Sequence, residues 1–208
     1  MTKIVKTEEE IKDKISITLY SAGVDEAGAG PLCGDLVIAA VILDPNNPII
    51  GLNDSKKLSE KKRDALYPEI IEKALDYCIV YITPKEIDEM NIFQARMEGF
   101  RRAVAGLKRV DYAVLDGDKV PSNMSVETDC LVKGDAKVAA ISAASILAKV
   151  SRDKQLVEIA KNYPEYGFEN HKGYGTKAHL LALKEHGFIE LFHRNSFSPV
   201  RNSNKRIK

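Results

Sequence analysis

Apolar and polar residues follow different periods in different parts of this chain, and the changes of period mark its elements. From Ile15 to Val24 the apolar positions have a strand-like spacing, and the run stops at two adjacent carboxylates, Asp25 and Glu26. Ala27-Gly28-Ala29-Gly30-Pro31 follows as a turn of small residues. Leu36 to Leu43 is almost wholly apolar and closes on Asp44-Pro45-Asn46-Asn47-Pro48, the pattern of a strand buried on both faces. The two runs are expected to pair as neighbours across the glycine turn. Residues 1–13 are charged and are expected to form a loose arm.

Helical spacing then takes over. Ser59 is a good N-cap for a helix opening on Glu60, which Pro68 is expected to break or kink. Tyr77 to Ile82 alternates like a strand, and Thr83-Pro84-Lys85-Glu86 has the form of a capping box with proline at the first helical position. A helix over roughly 92–107 places Phe93, Met97, Phe100 and Val104 on one face, read as a core stripe. Tyr112 to Leu115 is a short strand ending in Asp116-Gly117; Cys130 to Val132 leads in the same way to Gly134 and Asp135. A long helix over about 138–162 opens on small residues suited to close packing against a sheet, and a last helix is expected over about 177–186. Alternating strands and helices predict an α/β domain with a mixed sheet.

Three strands thus lead into carboxylates: Asp25 with Glu26, Asp116, and Asp135. Neighbouring side chains on a strand face opposite ways, so Asp25 and Glu26 can share a site only where the strand finishes. Sites in open α/β sheets gather outside strand ends. Four carboxylates brought together there would repel one another unless cations neutralise them, which points to divalent ions, two of them, and to in-line phosphoryl transfer. Taken alone, an Asp-Glu-x-Gly sequence is also compatible with an acidic turn in solvent.

Composition narrows the picture modestly. The formal net charge is +1, so overall charge singles out no class of partner. A basic tail, Arg194, Arg201, Lys205, Arg206 and Lys208, either contacts phosphate or is simply solvated. Three scattered cysteines, with no Cys-x-x-Cys pair, suit a reducing cytoplasm and argue against disulfides or structural zinc. No run is long enough to suggest a membrane span.

With these residues laid out, the chain resembles the ribonuclease HII family. The resemblance rests on Gly23-Val24-Asp25-Glu26-Ala27-Gly28, Asn53-Asp54-Ser55-Lys56-Lys57-Leu58-Ser59, Asp116-Gly117 and Lys133-Gly134-Asp135. It continues through Ile141 to Val150, Tyr166-Gly167-Phe168 and His171-Lys172-Gly173-Tyr174. It implies an RNase H-like mixed sheet of about five strands flanked by helices, with a core at 15–162 and a helical C-terminal extension and basic tail at 163–208, together one domain. It implies an endonuclease, cytoplasmic and active in DNA replication and repair. Such an enzyme cuts the RNA strand of RNA–DNA hybrids and nicks DNA duplexes 5′ of embedded ribonucleotides, leaving a 3′-hydroxyl and a 5′-phosphate. By motif, Asp25, Glu26, Asp116 and Asp135 are the catalytic carboxylates that hold Mg²⁺ or Mn²⁺, two ions, with Asp25 bridging them. Gly28, Ala29 and Gly30 match the loop that reads the ribose 2′-hydroxyl, a group only RNA presents. Tyr174 matches the aromatic residue that stacks near the following sugar. Asn53, Asp54, Ser55 and Lys56 match phosphate contacts that position without reading sequence. No obligate protein partner is implied.

Two positions depart from the family pattern. Ala29 stands where a cation sits between two glycines, a loss on the order of 2–4 kcal/mol if nothing compensates. Asp35 replaces a small or apolar residue and either adds a negative charge near the site or caps a turn, of which the turn is the favoured expectation. The glycine spacing of Gly28, Gly30 and Gly34 is wrong for a dinucleotide loop. His171, His179, His186 and His193 are read as surface or substrate-facing, and Ser142 and Ser145 as packing residues. Two other functions compete: a hybrid-binding protein impaired in catalysis by Ala29, and a general two-metal phosphatase or DNA nuclease without ribose dependence.

Overall fold

The structure is a computed structural model that describes residues 6–53 and 55–205. Asp54 and the tail residues Arg206 and Lys208 lie outside the described residues. Five strands make one mixed sheet: β1 (Ser21–Ala27), β2 (Leu36–Ile42), β3 (Asp76–Ile82), β4 (Tyr112–Asp116) and β5 (Thr128–Leu131). Their order is β3-β2-β1-β4-β5, with β1, β2 and β3 antiparallel in turn and β4 and β5 continuing parallel to β1. The helices are α1 (Glu8–Ile17), α2 (Glu60–Lys73), α3 (Pro84–Met90), α4 (Ile92–Ala105), α5 (Ala139–Asn162), α6 (Phe168–His171), α7 (Lys177–His186) and α8 (Ser198–Arg201).

Every residue of β2 is buried, as its unbroken apolar run predicts, because the sheet is covered on both faces. Ile38, Ala40 and Ile42 pack with Phe100 and Val104 of α4 on one side. Val37, Ala39 and Val41 pack with Ala143, Ala144 and Leu147 of α5 and with α2 on the other. The small residues of α5 let it lie against β1 itself. A Cβ on Gly23 would fall 2.2 Å from the backbone of Ala140 and Ile141, so only glycine admits this approach. A third apolar cluster, built on Leu32, Cys33, Leu156, Tyr166, Phe168 and Leu183, seats α6–α8 against the far end of α5.

Several sequence expectations are corrected. The charged N-terminal stretch is no loose arm over its described part: α1 covers Glu8–Ile17, started by a Thr7–Glu10 capping box, so Ile15 belongs to a helix rather than to β1. A short amphipathic helix with only Ile11 buried offers little periodicity to read. Helix α2 runs through Pro68, whose exposed position leaves the unbonded Asp64 carbonyl on the side that meets water. Phe93 is half-exposed at the start of α4, while Met97, Phe100 and Val104 form the expected core face. The Ser59 cap, the Thr83–Glu86 capping box and the bounds of α7 are as the sequence predicts. Among the described residues no helix is long and apolar enough to cross a membrane.

Candidate active site

Strand β1 does not end at its carboxylates, as the sequence had suggested; it stays paired with β2 through Ala27. What ends is its ladder with β4, whose last pair is Val24 with Leu115. The two parallel strands part at Asp25 and Asp116, opening the kind of crevice in which α/β sheets place their sites. Asp25 and Glu26 still face opposite sides. Asp25 turns toward α5, where it shares a hydrogen bond with Ser145, and Glu26 turns toward α4, where Oε1 lies 2.9 Å from Arg96 Nε. Both nevertheless line one cavity of about 350 Å³.

The electrostatics reflect this crowding. Burial, then the charges of Glu26 and Asp116, push the Asp25 carboxyl well above the usual carboxylate range. Burial also raises Glu26, against the pull of Arg96. Asp116 Oδ1 accepts the Gly134 N–H at 2.7 Å, which sets the buried Asp135, in the short 3-10 turn Gly134–Ala136, beside it in the chain. Asp135 therefore lies beyond β5 rather than at its end. The donor set suits a hard divalent cation: carboxylates only, with Glu26 Oε2 buried and without a hydrogen-bond partner. Among the described residues no three such side chains form a preassembled metal cluster.

A second wall of the same cavity is the Gly28–Gly30 loop with Tyr174. Gly28 has φ of +99°, and a Cβ there would fall 2.2 Å from Arg152 Nε. Tyr174 is half-exposed, its ring reaching within 3.9 Å of where a Gly30 Cβ would stand. Lys56 lines the same cavity. The loop before it is pinned to α5: Ser142 Oγ donates to the Asn53 carbonyl at 2.8 Å, and the Ser55 and Ser145 hydroxyls meet at 2.7 Å. The two α5 serines are thus hydrogen-bonding residues, not mere packing.

Two buried arginines hold the glycine loop from behind. Arg194 donates to the carbonyls of Gly28, Ala29 and Gly34, and Arg152 to those of Cys33, Asp35 and Lys172. Arg194, read from the sequence as part of a basic tail, is fully buried. Of the rest of that tail, Arg201 is exposed and Lys205 pairs with Glu190. Asp35 caps no turn with its side chain; its Oδ2 accepts from Gln155 Nε2 while Gln155 Oε1 accepts the Asp35 N–H. His179 and His193 are fully buried, not surface groups. The sequence reading missed Lys149 and Arg152, both lining the cavity. Their spacing from Ser145, four and then three residues, is a helical-face signal that could have found them. Nothing in local sequence marks Arg96 or Arg194, whose partners lie far off in the chain.

The family described as Ribonuclease HII matches residues 22–200 of the chain. A relative named Ribonuclease HII from Vibrio cholerae is 58% identical over 183 residues, 88% of each chain. One from Shewanella loihica is 57% identical over 185 residues, again 88% of each. Among solved structures, the ribonuclease H2 of Pyrococcus horikoshii superimposes with a TM-score of 0.75 at 31% identity, covering 87% of this chain and 95% of that one. The expected RNase H-like mixed sheet of five strands is met in this comparison.

Proposed function

Since the chain belongs to the ribonuclease HII family and is a ribonuclease H, we propose that it is a divalent-metal-dependent endonuclease. It hydrolyses the RNA strand of RNA–DNA hybrids and nicks DNA duplexes 5′ of embedded ribonucleotides, leaving a 3′-hydroxyl and a 5′-phosphate. The observation that carries this reading is the opening between β1 and β4. There Asp25, Glu26 and Asp116 interact electrostatically, and the cavity holding Asp25 and Glu26 is lined as well by the Gly28–Gly30 loop and Tyr174.

Asp25, Glu26, Asp116 and Asp135 would hold Mg²⁺ or Mn²⁺. Ions held there would supply Lewis-acid polarisation of the scissile phosphate and a nucleophilic water at neutral pH. The chain's own residues do the rest. Ser145 orients Asp25, Arg96 restrains Glu26, and the Gly134 N–H fixes Asp116. Gly28 and Gly30, without side chains, let the sugar approach the backbone, whose polar groups can pair with a 2′-hydroxyl. Tyr174 stacks on the neighbouring sugar. Asn53 to Lys56, Asp54 included, contact phosphates of the DNA strand. Residues 15–162 and 163–208 act as one unit, a reading supported by Arg194, which reaches from the extension to the glycine loop. The protein works in the cytoplasm, in DNA replication and repair, with no obligate protein partner.

Ala29 favours a second reading, a protein that binds hybrids without turning them over. Lys56, Lys149 and Arg152 around the same cavity supply cations that support the enzyme instead. A labelled DNA duplex with one ribonucleotide, run beside an all-DNA duplex in Mg²⁺ and then Mn²⁺, separates the readings. The expected result is a cut 5′ of the ribonucleotide in the first duplex alone. Binding without cutting in either metal supports the second reading, and cutting of both duplexes favours a general nuclease.

A further inference from the structure

Behind Tyr174 lies a line of hydrogen bonds whose donors and acceptors can be assigned without ambiguity. The Ile189 N–H donates to His193 Nδ1 at 2.9 Å, so that nitrogen carries a lone pair and the proton of neutral His193 sits on Nε2. His179 Nδ1 stands 3.0 Å from the Tyr174 carbonyl, which only accepts, so His179 carries its proton on Nδ1 and a lone pair on Nε2. The two Nε2 atoms are 3.0 Å apart, and the assignments at either end make this contact a proper hydrogen bond from His193 to His179. One direction of donation runs through the whole line, from the Ile189 amide through both imidazoles to the Tyr174 carbonyl. Each ring must be neutral for this. Burial lowers His179 to about 4 and His193 to about 3, which keeps them so.

The line ends where the site begins. His193 is followed directly by Arg194, whose guanidinium holds the Gly28 and Ala29 carbonyls. The Arg194 N–H bonds the Leu32 carbonyl, and the Leu32 N–H bonds the Gly173 carbonyl next to Tyr174. One dipeptide therefore fastens both sides of the gap, the glycine loop through the arginine and Tyr174 through the two histidines. His171 stacks on His179 with ring centroids 4.7 Å apart, and Phe168 meets its edge, so the rings cannot swing aside.

We propose that His179 and His193 are positioning residues: their neutral, directional relay sets the Tyr174 ring against Gly30 and so fixes the gap that a ribose must enter. This rests on the reading of Gly28–Gly30 and Tyr174 as the ribose-facing wall. His179→Leu removes the donor to Tyr174, whereas His179→Asn keeps an N–H close to the position of Nδ1. On a duplex with one ribonucleotide, His179→Leu is expected to lower kcat at least about tenfold while its Kd for the duplex stays within about twofold. His179→Asn recovers to within about threefold of wild type. A leucine variant with wild-type kcat overturns the proposal, and so do leucine and asparagine variants equally impaired, which is what a purely structural role gives.

Nitrogen-15 NMR of the wild-type imidazoles provides a test that needs neither a folded variant nor activity. It should find the Nδ1–H tautomer at His179 and the Nε2–H tautomer at His193; any other pair removes the relay. Wild-type protein that leaves the ribonucleotide duplex intact sinks the functional reading instead, and the tautomers then decide the relay alone.

Discussion

The two walls of the cavity solve the problem of buried charge in opposite ways. On the β1–β4 side, carboxylates crowd together without facing one another, and Asp25 is raised by the neighbouring charges of Glu26 and Asp116 on top of its burial. On the loop side, the buried guanidinium groups of Arg152 and Arg194 direct their hydrogen bonds to backbone carbonyls, and two neutral imidazoles brace the wall from behind. The acidic wall has Arg96 against one oxygen of Glu26, and is left with an electrostatic demand that a cation from outside would meet. The other is satisfied from within, and its product is geometry. A buried charge can serve as an invitation or as a rivet, and its partners tell which.

The largest effect should come from the acidic wall. Asp116→Asn is expected to lower cleavage of a ribonucleotide-containing duplex by about three orders of magnitude or more while the protein stays folded; near-wild-type turnover would remove Asp116 from the site. On the other wall, Arg194→Met leaves three carbonyls without their donor, and urea unfolding should show a loss of about 3 kcal/mol or more. A neutral result there would mean that the loop holds itself.

Mg²⁺ sharpens the contrast, because it should stabilise one wall only. At a hundredfold excess over its Kd, the ion should add roughly 2.7 kcal/mol to wild-type stability. Asp116→Asn should lose most of that gain and Arg194→Lys should keep it. Gly28→Ala, at φ of +99° and against Arg152, should cost about 2 kcal/mol.

The smallest effect is one of pH, and its sign differs between the walls. His179 and His193 bind protons less readily when folded, so the unfolded chain takes up more protons below about pH 6.5. Their contribution is whole above that pH and falls away toward pH 4 and then pH 3. Asp25 is raised, so in metal-free protein its contribution runs the other way: stability is lost as pH rises from the usual carboxylate range through its folded value. The metal-free stability profile of His179→Asn should therefore lose part of the acid-side decline, whereas Asp25→Asn should lose the decline on the rising side.

How legible each wall was in the sequence follows from the same contrast. The acidic wall is written locally. Asp25, Glu26 and Asp116 each come at the close of an apolar run, which shows in the sequence although β1 itself runs on to Ala27. Helix caps at Ser59 and Thr83 are equally local, since cap and capped amide lie three residues apart. The loop wall depends on arginine contacts between residues more than a hundred apart in the chain, such as Arg194 with Gly28 and Arg152 with Cys33. Arg194 resembles any basic tail residue until its burial is seen. The histidines misled for a related reason: a polar ring reads as exposed unless its partner, in this case another ring, is known. Pro68 and Phe93 show propensity yielding to context, one on an exposed helix face and the other at a helix entrance.

Gly23 carries no functional group, yet it lies on the same face of β1 as Asp25, two residues away, with the backbone of α5 where its side chain would be. That helix brings Ser145, Lys149 and Arg152 to the cavity. A single methyl group at position 23 would wedge strand and helix apart and widen the chamber by about the thickness of that group. The width of the chamber is thus calibrated by an atom the chain does without.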